Sequence, residues 1–373
     1  MISATAGSSL SGLYGNFVTG VPQAKVTDRK GLPLAGVAVS FEALGGGLLT
    51  RASATTDSAG LASPTSWRLG TGGTQSVQAT SSGAAPLVFT AAASAPPAGT
   101  FRIEVRYDSG TTPTSAQRAA FDAAAAAWTR LILRGGVPYA VYEDAGCGDI
   151  RGETVDGVVI HARVDSIDGA GQILGQAGPC ILRDADLLPA QGIMQFDSAD
   201  LAALERRGQL EQVILHEMAH VLGFGTLWNF GAGIRPDYLM ATPAEDPTFT
   251  GPASRFALFG LAGAGFMGNG AVPVENTGSP GTRLAHWREA TFGQELMTGW
   301  LNAGITPLSA LTLAQFRDLG YEVNDALGDP YSFAAAIQAS VAAPVQLIER
   351  GLTSPLLVIN RAGRMVRTIK RPL

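Results

Sequence analysis

Charged, histidine and cysteine side chains are scarce in this chain of 373 residues. Only 15% of the residues are charged, four are histidine and two are cysteine. The formal net charge is −5 at pH 7, and no basic stretch alternates with aromatic residues, so no nucleic-acid partner is expected. The chain is long enough for two or more domains, and with 46% hydrophobic residues each of them can have its own core.

Long apolar runs are missing as well. Two apolar, uncharged stretches cover residues 256–274 and 332–348. Glycines and a proline interrupt the first, and polar side chains and a proline interrupt the second, so no transmembrane segment is expected. The N-terminus, Met1-Ile2-Ser3-Ala4, lacks the basic start and apolar region of a signal peptide. We therefore expect a mature or trimmed form, or export by another route.

Two of the four histidines fall in one motif, His216-Glu217-Met218-Ala219-His220. Residues four apart lie on one face of an α-helix, so both imidazoles can bind one metal ion. Neutral imidazole suits Zn²⁺, and a catalytic zinc takes three protein ligands and a water. Glu217 is then placed to accept a proton from that water. The alternative, a solvated helix with two histidines, fits poorly with the apolar flanking residues.

The third ligand is sought among the two remaining histidines. His161 lies in the apolar, β-branched run at residues 158–164, which predicts a strand. A lone strand histidine is more often a surface or packing residue, so by elimination His286 is the predicted third ligand. Gly223 supports this choice, because a glycine at a helix end adopts the left-handed conformation that turns the chain. An ordinary helix cap would place a glycine there too.

The motif with Gly223 resembles the metzincin pattern of zinc proteases, in which a glycine follows the second histidine and a methionine turn lies below the metal. Most metzincins have the third histidine close behind, whereas residues 224–285 intervene here. That insertion resembles the leishmanolysin-like (M8) branch. Three further stretches share the resemblance: Gly223-Phe224-Gly225-Thr226-Leu227-Trp228, His286-Trp287 and Glu295-Leu296-Met297-Thr298-Gly299-Trp300. It covers roughly residues 101–330 and implies that Met297 is the methionine beneath the zinc ligands.

The same resemblance implies a substrate-binding strand at the edge of the cleft. In metzincins the strand before the last β-element of this region pairs with the substrate backbone. By that likeness the edge is assigned to Leu174, Gly175, Gln176 and Ala177. An open edge offers unpaired backbone groups to an extended peptide.

The two cysteines, Cys147 and Cys180, lie in loop-like sequence. An even count in an extracellular-type enzyme favours one disulfide, the alternative being two free thiols in a reducing compartment. Neither has a partner at zinc-ligand spacing. A disulfide would leave no thiol for a cysteine-based latency switch.

Residues 14–94 precede the region of resemblance and differ from it in pattern. Short apolar-alternating stretches separated by glycine, proline and aspartate turns predict an immunoglobulin-like β-sandwich. The segment is similar to bacterial immunoglobulin-like repeats of the invasin type, through Val26-Thr27-Asp28, Leu34-Ala35-Gly36-Val37-Ala38-Val39-Ser40-Phe41, Ala54-Thr55-Thr56-Asp57-Ser58-Ala59-Gly60 and Phe89-Thr90-Ala91. Residues 95–100, with Pro96-Pro97, predict a linker.

The fold class predicted is therefore multidomain, with an all-β immunoglobulin-like sandwich before an α+β metzincin-type zinc protease domain at residues 101–330. Thr114 or Ser115 is expected to cap a helix, and the active-site helix is expected to cover residues 210–222. Thr312 is expected to cap a last helix that ends at Gly320. Residues 331–373 have no clear assignment beyond a hairpin-like turn at Asn360-Arg361-Ala362-Gly363.

These patterns predict a zinc endopeptidase, secreted or at the cell surface, that hydrolyses protein or peptide substrates. His216, His220 and His286 would bind Zn²⁺, and Glu217 would be the general base. The alternative from another class is an adhesin or binding protein with a structural or inactive zinc site. The immunoglobulin-like module, which can contact a cell surface or matrix, motivates this alternative. The presence of Glu217 argues against it, because a structural site needs no base.

Overall fold

The computed structural model describes residues 1–13, 18, 20–44, 48–50, 53–64, 66–69, 73–94, 101–111, 113–171, 173–231, 233–262, 270–302, 306–333 and 345–371. The predicted linker at residues 95–100 lies outside them. By its contacts the chain divides into two compact units. One is built mainly from residues 1–97, and the other comprises residues 98–261, 268–323 and 328–373.

Residues 1–97, which make up most of the first unit, contain strands and no helix where the structure describes them. One sheet has the strand order β1-β3-β7, a second has the order β2-β10-β9-β4-β6, and β5 pairs with β8. The strands are β1 (Ile2–Ala6), β2 (Ser9–Leu13), β3 (Gln23–Val26), β4 (Ala38–Leu44), β5 (Leu48–Thr50), β6 (Ser53–Thr55), β7 (Leu61–Ala62), β8 (Ser66–Arg68), β9 (Thr74–Thr80) and β10 (Leu87–Ser94).

One hydrophobic core cluster joins the two larger sheets of this unit and the β5–β8 pair. Val26 enters it from β3, Phe41 from β4, Val77 from β9 and Phe89 from β10. In β9 the buried residues alternate with more exposed ones, as expected when one face of a strand packs on a core. The prediction of an all-β N-terminal domain is confirmed, with β1 and β2 lying before residue 14.

The second unit contains helices and a central mixed sheet of six strands in the order β11-β15-β17-β16-β24-β25. The strands of this unit are β11 (Ile103–Tyr107), β12 (Ile132–Arg134), β13 (Tyr139–Val141), β14 (Glu153–Val155), β15 (Val158–Asp165), β16 (Gly175–Arg183), β17 (Pro189–Asp197), β18 (Leu239–Met240), β19 (Thr248–Phe249), β20 (Val272–Pro273), β21 (Trp300–Leu301), β22 (Glu322–Val323), β23 (Val345–Gln346), β24 (Leu356–Ile359) and β25 (Met365–Ile369).

The end of the chain completes the central sheet. Strand β24 pairs in parallel with the second half of β16, and β25 pairs antiparallel with β24. The predicted hairpin turn is confirmed, since the Gly363 amide donates to the Asn360 carbonyl over 2.8 Å. Residues after 344 are thus part of the fold of the second unit.

The helices are α1 (Ser115–Leu131), α2 (Ser198–Arg207), α3 (Leu210–Leu222), α4 (Pro252–Ala262), α5 (Glu289–Phe292) and α6 (Ala310–Leu319), with a 3₁₀ helix at Asp325–Leu327. Thr114 caps α1 through a reciprocal capping box with Gln117. The prediction that Thr312 caps the last helix is wrong, because Ser309 is the cap and the Thr312 hydroxyl donates to Glu295. Within the described residues, no helix is long and apolar enough to cross a membrane.

Helix α3 is buried between α1 and the central sheet. The Trp128 indole of α1 donates to the Leu215 carbonyl over 3.0 Å. On the sheet side, a Cβ on Gly192 of β17 would lie 2.4 Å from the Val221 side chain, so glycine permits this close approach. The predicted bounds of α3, residues 210–222, are confirmed.

A disulfide ties β16 to the loop between β13 and β14. Cys147 and Cys180 are bonded, and their Cα atoms are 6.5 Å apart. The predicted pair is therefore present. The placement of Cys180 in a loop is wrong, since it lies within β16, where its neighbours Ile181 and Leu182 are buried in the sheet.

Candidate metal centre

Helix α3 supplies the three polar side chains of the motif. His216, Glu217 and His220 are all buried, although burying polar groups without partners is costly. The helix ends at Gly223, which is left-handed with φ +115° and whose amide donates to the Ala219 and His220 carbonyls. The predicted helix end at this glycine is confirmed.

A second glycine brings the distant third histidine to the helix. Gly225 is left-handed, and a Cβ there would lie 2.2 Å from the Ala285 carbonyl oxygen. Only glycine allows that approach, which places Ala285, and with it His286, against the turn that follows α3. The Thr226 hydroxyl donates to the His220 carbonyl over 2.7 Å and holds the same turn.

The three imidazoles converge through their Nε2 atoms. His216 and His286 are 3.0 Å apart at these atoms, His220 and His286 3.0 Å, and His216 and His220 3.1 Å. The predicted set of three is therefore brought together, in one buried group that could hold a metal ion.

Each ring is fixed on its other side by a backbone carbonyl. The Nδ1 atoms of His216, His220 and His286 lie 2.7, 2.8 and 2.9 Å from the carbonyl oxygens of Leu296, Phe224 and Thr282. A carbonyl only accepts, so each Nδ1 carries the proton and each Nε2 presents a lone pair when the ring is neutral. One proton can bridge only two of these nitrogens, whereas one metal ion accepts all three lone pairs. Such orientation of histidine ligands by carbonyls is usual in metal sites.

Glu217 has no hydrogen-bond partner among the described residues, at either carboxylate oxygen. Burial, and after it the negative charge of Glu349, raises the pKa of Glu217 well above its ordinary value. Burial also lowers the pKa of His220 to about 3, which favours the neutral ring that binds metals. The site therefore contains a carboxyl group that is poised to change its protonation state.

Glu349 is a fourth side chain at this site, and the sequence analysis missed it. Its Oε1 lies 3.2 Å from His216 Nε2 and 3.4 Å from His286 Nε2, and its Oε2 lies 3.5 Å from His220 Nε2. Although burial opposes ionisation, the nearby His286 and His220 hold the pKa of Glu349 well below its ordinary value. No local motif surrounds this glutamate, so only its place in the fold reveals it.

Met297 lies in a segment whose backbone is hydrogen-bonded to His216 and to the residue that follows His286. The Leu296 carbonyl accepts from His216, and the Met297 carbonyl accepts from the Trp287 amide, next to His286, over 2.9 Å. The Met297 side chain is fully buried. Its amide donates to Glu295, a buried carboxylate that also accepts hydrogen bonds from Ser309 and Thr312.

His161, the remaining histidine, lies outside this group. It is in β15, with its Nδ1 2.7 Å from Asp108 Oδ1, and Arg163 donates to the same carboxylate. Its structural surroundings thus agree with its exclusion as a ligand.

The predicted open edge at Leu174, Gly175, Gln176 and Ala177 is wrong in one respect, because its first two residues already have partners. The Leu174 amide donates to the Ile348 carbonyl over 2.9 Å, and the Arg350 amide donates to the Gly175 carbonyl over 3.1 Å. Residues 348–350 therefore lie beside the start of β16, and we call the stretch that contains them, residues 345–350, the cleft segment. Pairing with a stretch so distant in sequence leaves no trace in the local pattern of residues 174–177.

Three histidines converge in the second unit, two of them on α3 beside the buried Glu217, and such a donor set could hold a metal ion. Residues 263–343 match the family model for leishmanolysin, peptidase M8. This span contains His286 and Met297, follows α3 and ends before Glu349. The resemblance to leishmanolysin predicted from the motifs is confirmed.

Relatives support the same resemblance over part of the chain. A leishmanolysin homolog from Crithidia fasciculata is 29% identical over 164 residues, which are 42% of this chain and 24% of that protein. Leishmanolysin from Leishmania donovani is 30% identical over 162 residues, 42% of this chain and 26% of its own length. The chain thus spans about a quarter of the length of these curated relatives. Among solved structures, the bacterial integrin-binding protein invasin matches 25% of this chain and 19% of its own at 22% identity, with a TM-score of 0.22.

Proposed function

We propose that this protein is a secreted or cell-surface zinc endopeptidase of the metzincin type that cleaves protein or peptide substrates. The observation that carries the proposal is the convergence of three Nε2 lone pairs on one point, with every Nδ1 proton held by a carbonyl. The similarity to leishmanolysins supports the reaction class.

His216, His220 and His286 are the residues that would hold the metal. Three neutral imidazoles are a donor set that suits a catalytic Zn²⁺. Bound there, Zn²⁺ would supply a Lewis acid that polarises the scissile carbonyl and acidifies a water molecule. Met297, buried between the chain segments that position His216 and His286, would support the ligands from below.

Glu217 would move the proton. Its carboxylate makes no hydrogen bond within the described residues, so both oxygens remain available for a water or a leaving group. It would take a proton from the attacking water and deliver that proton to the leaving amine. Its raised pKa fits a group that must hold a proton for part of the cycle.

The N-terminal all-β unit carries no chemistry that we assign. A spacer, or a contact with a cell surface or matrix, is its proposed role as an immunoglobulin-like domain. The disulfide between Cys147 and Cys180 supports an oxidising compartment outside the cytosol.

Replacement of Glu217 tests the proposal. Glu217→Ala should retain one zinc per chain, measured by elemental analysis, and lose casein cleavage by at least about 100-fold. Glu211→Ala is the matched control, since Glu211 is an exposed glutamate in the first turn of the same helix. Casein cleavage by Glu217→Ala at the wild-type rate would overturn the assignment of the base. A chelator should abolish cleavage by the wild-type chain.

A second candidate is a binding protein with a structural zinc site. Glu349 favours it, because structural sites are closed by four protein ligands, whereas catalytic sites keep one position open. If the protein is an endopeptidase, it should hydrolyse peptides once Glu349 is replaced. If it is a binding protein with a structural zinc site, it should not. Absence of cleavage by Glu349→Gln, with zinc retained, would support the second candidate.

A further inference from the structure

The cleft segment, residues 345–350, is anchored on both sides of the metal centre. On one side β23 pairs antiparallel with β21, and the Leu347 amide donates to the Gly299 carbonyl over 3.0 Å. On the other side it continues parallel to β16, with a bridge between Gly175 and Glu349. The segment thus crosses the centre from the Met297 side to the sheet.

Further contacts hold the middle of the segment over the loop that carries His286. The Thr282 hydroxyl donates to the Leu347 carbonyl over 3.2 Å. A Cβ on Gly281 would lie 2.3 Å from the Glu349 carbonyl oxygen, so this loop and the segment touch at their backbones. Thr282 also accepts from the His286 ring through its own carbonyl. The segment therefore packs against the residues that orient the third histidine.

Glu349 is the residue of this segment whose carboxylate faces the histidines. It is 8% exposed, and its oxygens lie 3.2–3.5 Å from all three Nε2 atoms. The Glu349 backbone carbonyl lies against Gly281, whereas its carboxylate faces the three Nε2 atoms. The segment occupies the cleft without presenting a cleavable bond to the histidines.

We propose that Glu349 is a fourth metal ligand, and that the cleft segment keeps the metal centre closed until it is displaced. This inference rests on the proposed metal site and adds its regulation. A carboxylate oxygen is an ordinary zinc ligand, and a fourth protein ligand removes the open position that catalysis requires. The paired backbone at Leu174 and Gly175 would also become available to an extended substrate only after the segment leaves.

The chain offers no thiol for this purpose, since both cysteines are joined in the disulfide. Glu349 instead supplies a ligand from downstream of the catalytic histidines. The backbone of the cleft segment is paired on both sides of Glu349. Removal of the Glu349 carboxylate from the metal centre should therefore require the whole segment to detach. That arrangement makes the closed state depend on Glu349 and on the backbone fit at Gly281.

Cobalt substitution tests ligation without relying on peptidase activity. The full chain, wild type and Glu349→Gln, is loaded with Co²⁺, and its visible ligand-field bands are recorded while azide is added as a small anionic probe. We expect altered bands in Glu349→Gln and azide binding at least about tenfold tighter than in wild type, because the closed form competes with the probe. Arg350→Gln is the matched control, since it changes an exposed side chain of the same segment.

A second variant displaces the segment while Glu349 is kept. Gly281→Ala should push the backbone of the cleft segment away from the metal centre. Like Glu349→Gln, it should therefore bind azide more tightly than wild type. The matched glycine control is Gly351→Ala, where a Cβ meets nothing within 4 Å. Zinc content of both variants is measured, since Gly281 adjoins Thr282.

Peptidase assays of the same proteins separate this inference from the proposed function. Glu349→Gln should cleave casein at least about tenfold faster than wild type, and the double variant Glu217→Ala/Glu349→Gln should lose that gain. Identical cobalt bands and azide affinity in wild type and Glu349→Gln would overturn the inference, whatever the activity. Altered bands with tighter azide binding, but no cleavage by Glu349→Gln, would support ligation by Glu349 and count against the endopeptidase proposal instead.

Discussion

The Nδ1 atom of His216 lies 2.7 Å from the carbonyl oxygen of Leu296, and this hydrogen bond joins α3 to the segment that carries Met297. It fixes the ring so that Nε2 faces the other two histidines. The bond links residues 80 positions apart, so the helix motif alone cannot orient its own first ligand. Orientation of the three imidazoles is thus a property of the folded second unit.

Loss of the third histidine should lower metal binding. His286→Ala removes one of the three convergent donors, and we expect zinc affinity to fall by more than about 100-fold, beyond the usual effect of losing an outer-shell partner. Competition with a chromogenic chelator measures it. His161→Ala is the control, because His161 is a buried histidine bonded to Asp108 and should leave affinity unchanged. Unchanged zinc affinity in His286→Ala would assign the third ligand elsewhere.

Gly225 should tolerate no side chain. Gly225→Ala combines a left-handed backbone with a Cβ 2.2 Å from the Ala285 carbonyl oxygen. Gly208→Ala is a matched control, since both glycines have φ +69° and a Cβ at Gly208 meets nothing within 4 Å. We expect Gly208→Ala to cost about 1 kcal/mol of unfolding free energy in urea. Gly225→Ala should cost more and weaken zinc binding about tenfold. Equal effects of the two variants on both measurements would contradict this role.

The disulfide should contribute strongly to stability. Cys147 and Cys180 are 33 positions apart, and closing a loop of that length stabilises a fold by about 4 kcal/mol in the chain-entropy account. The double variant Cys147→Ser/Cys180→Ser should unfold at lower urea, and so should the wild-type chain after reduction. The reduced wild type lacks the disulfide but keeps both cysteine side chains, so it separates loss of the disulfide from the effect of burying two serine hydroxyls. Identical urea midpoints for oxidised and reduced wild type would refute the prediction.

Asp197 should make the second unit sensitive to acid. Burial would raise the pKa of Asp197, but hydrogen bonds from the amides of Ile167, Gly169, Ala199 and Asp168 outweigh it and hold the pKa below its ordinary value. A lowered folded pKa means that the stabilisation is complete above the unfolded value, about 3.9, and is lost as the pH falls through the folded pKa. At pH 7, Asp197→Asn should reduce the unfolding free energy by about 2 kcal/mol.

Urea unfolding from pH 7 down to the acid limit of folding measures this loss. The difference in unfolding free energy between wild type and Asp197→Asn should stay constant down to about pH 4 and decrease below it. Asp156→Asn, at an exposed position, is the control and should track wild type throughout. If this difference in unfolding free energy does not change below about pH 4, the charge of Asp197 is not the source of the stabilisation.

Local patterns predicted the parts of the fold whose causes are local. The helix at Leu210–Leu222, its end at Gly223 and the capping of α1 follow from apolar periodicity and from residues that satisfy the helix ends. The start of α6 was misplaced by three residues, because Ser309 and Thr312 are both capping types and only the contact with Glu295 decides between them.

The placement of β16 shows the limit of such patterns. The sequence predicted only a short edge strand at residues 174–177 and put Cys180 in a loop, whereas one strand runs over Gly175–Arg183. Proline and glycine in this stretch suggest a turn locally. The pairing of β16 with β17 on one side and β24 on the other keeps it extended.

The sequence by itself determined which side chains are candidate metal ligands in this protein. Four histidines, two of them one helical turn apart around a glutamate, leave few ways to build a site, and His286 follows almost by counting. Only the tertiary structure decided that a fourth group, Glu349, reaches the same point. Its approach depends on backbone pairing between the cleft segment and strands far away in the sequence, and such pairing imposes no residue pattern that a reader of the chain could detect.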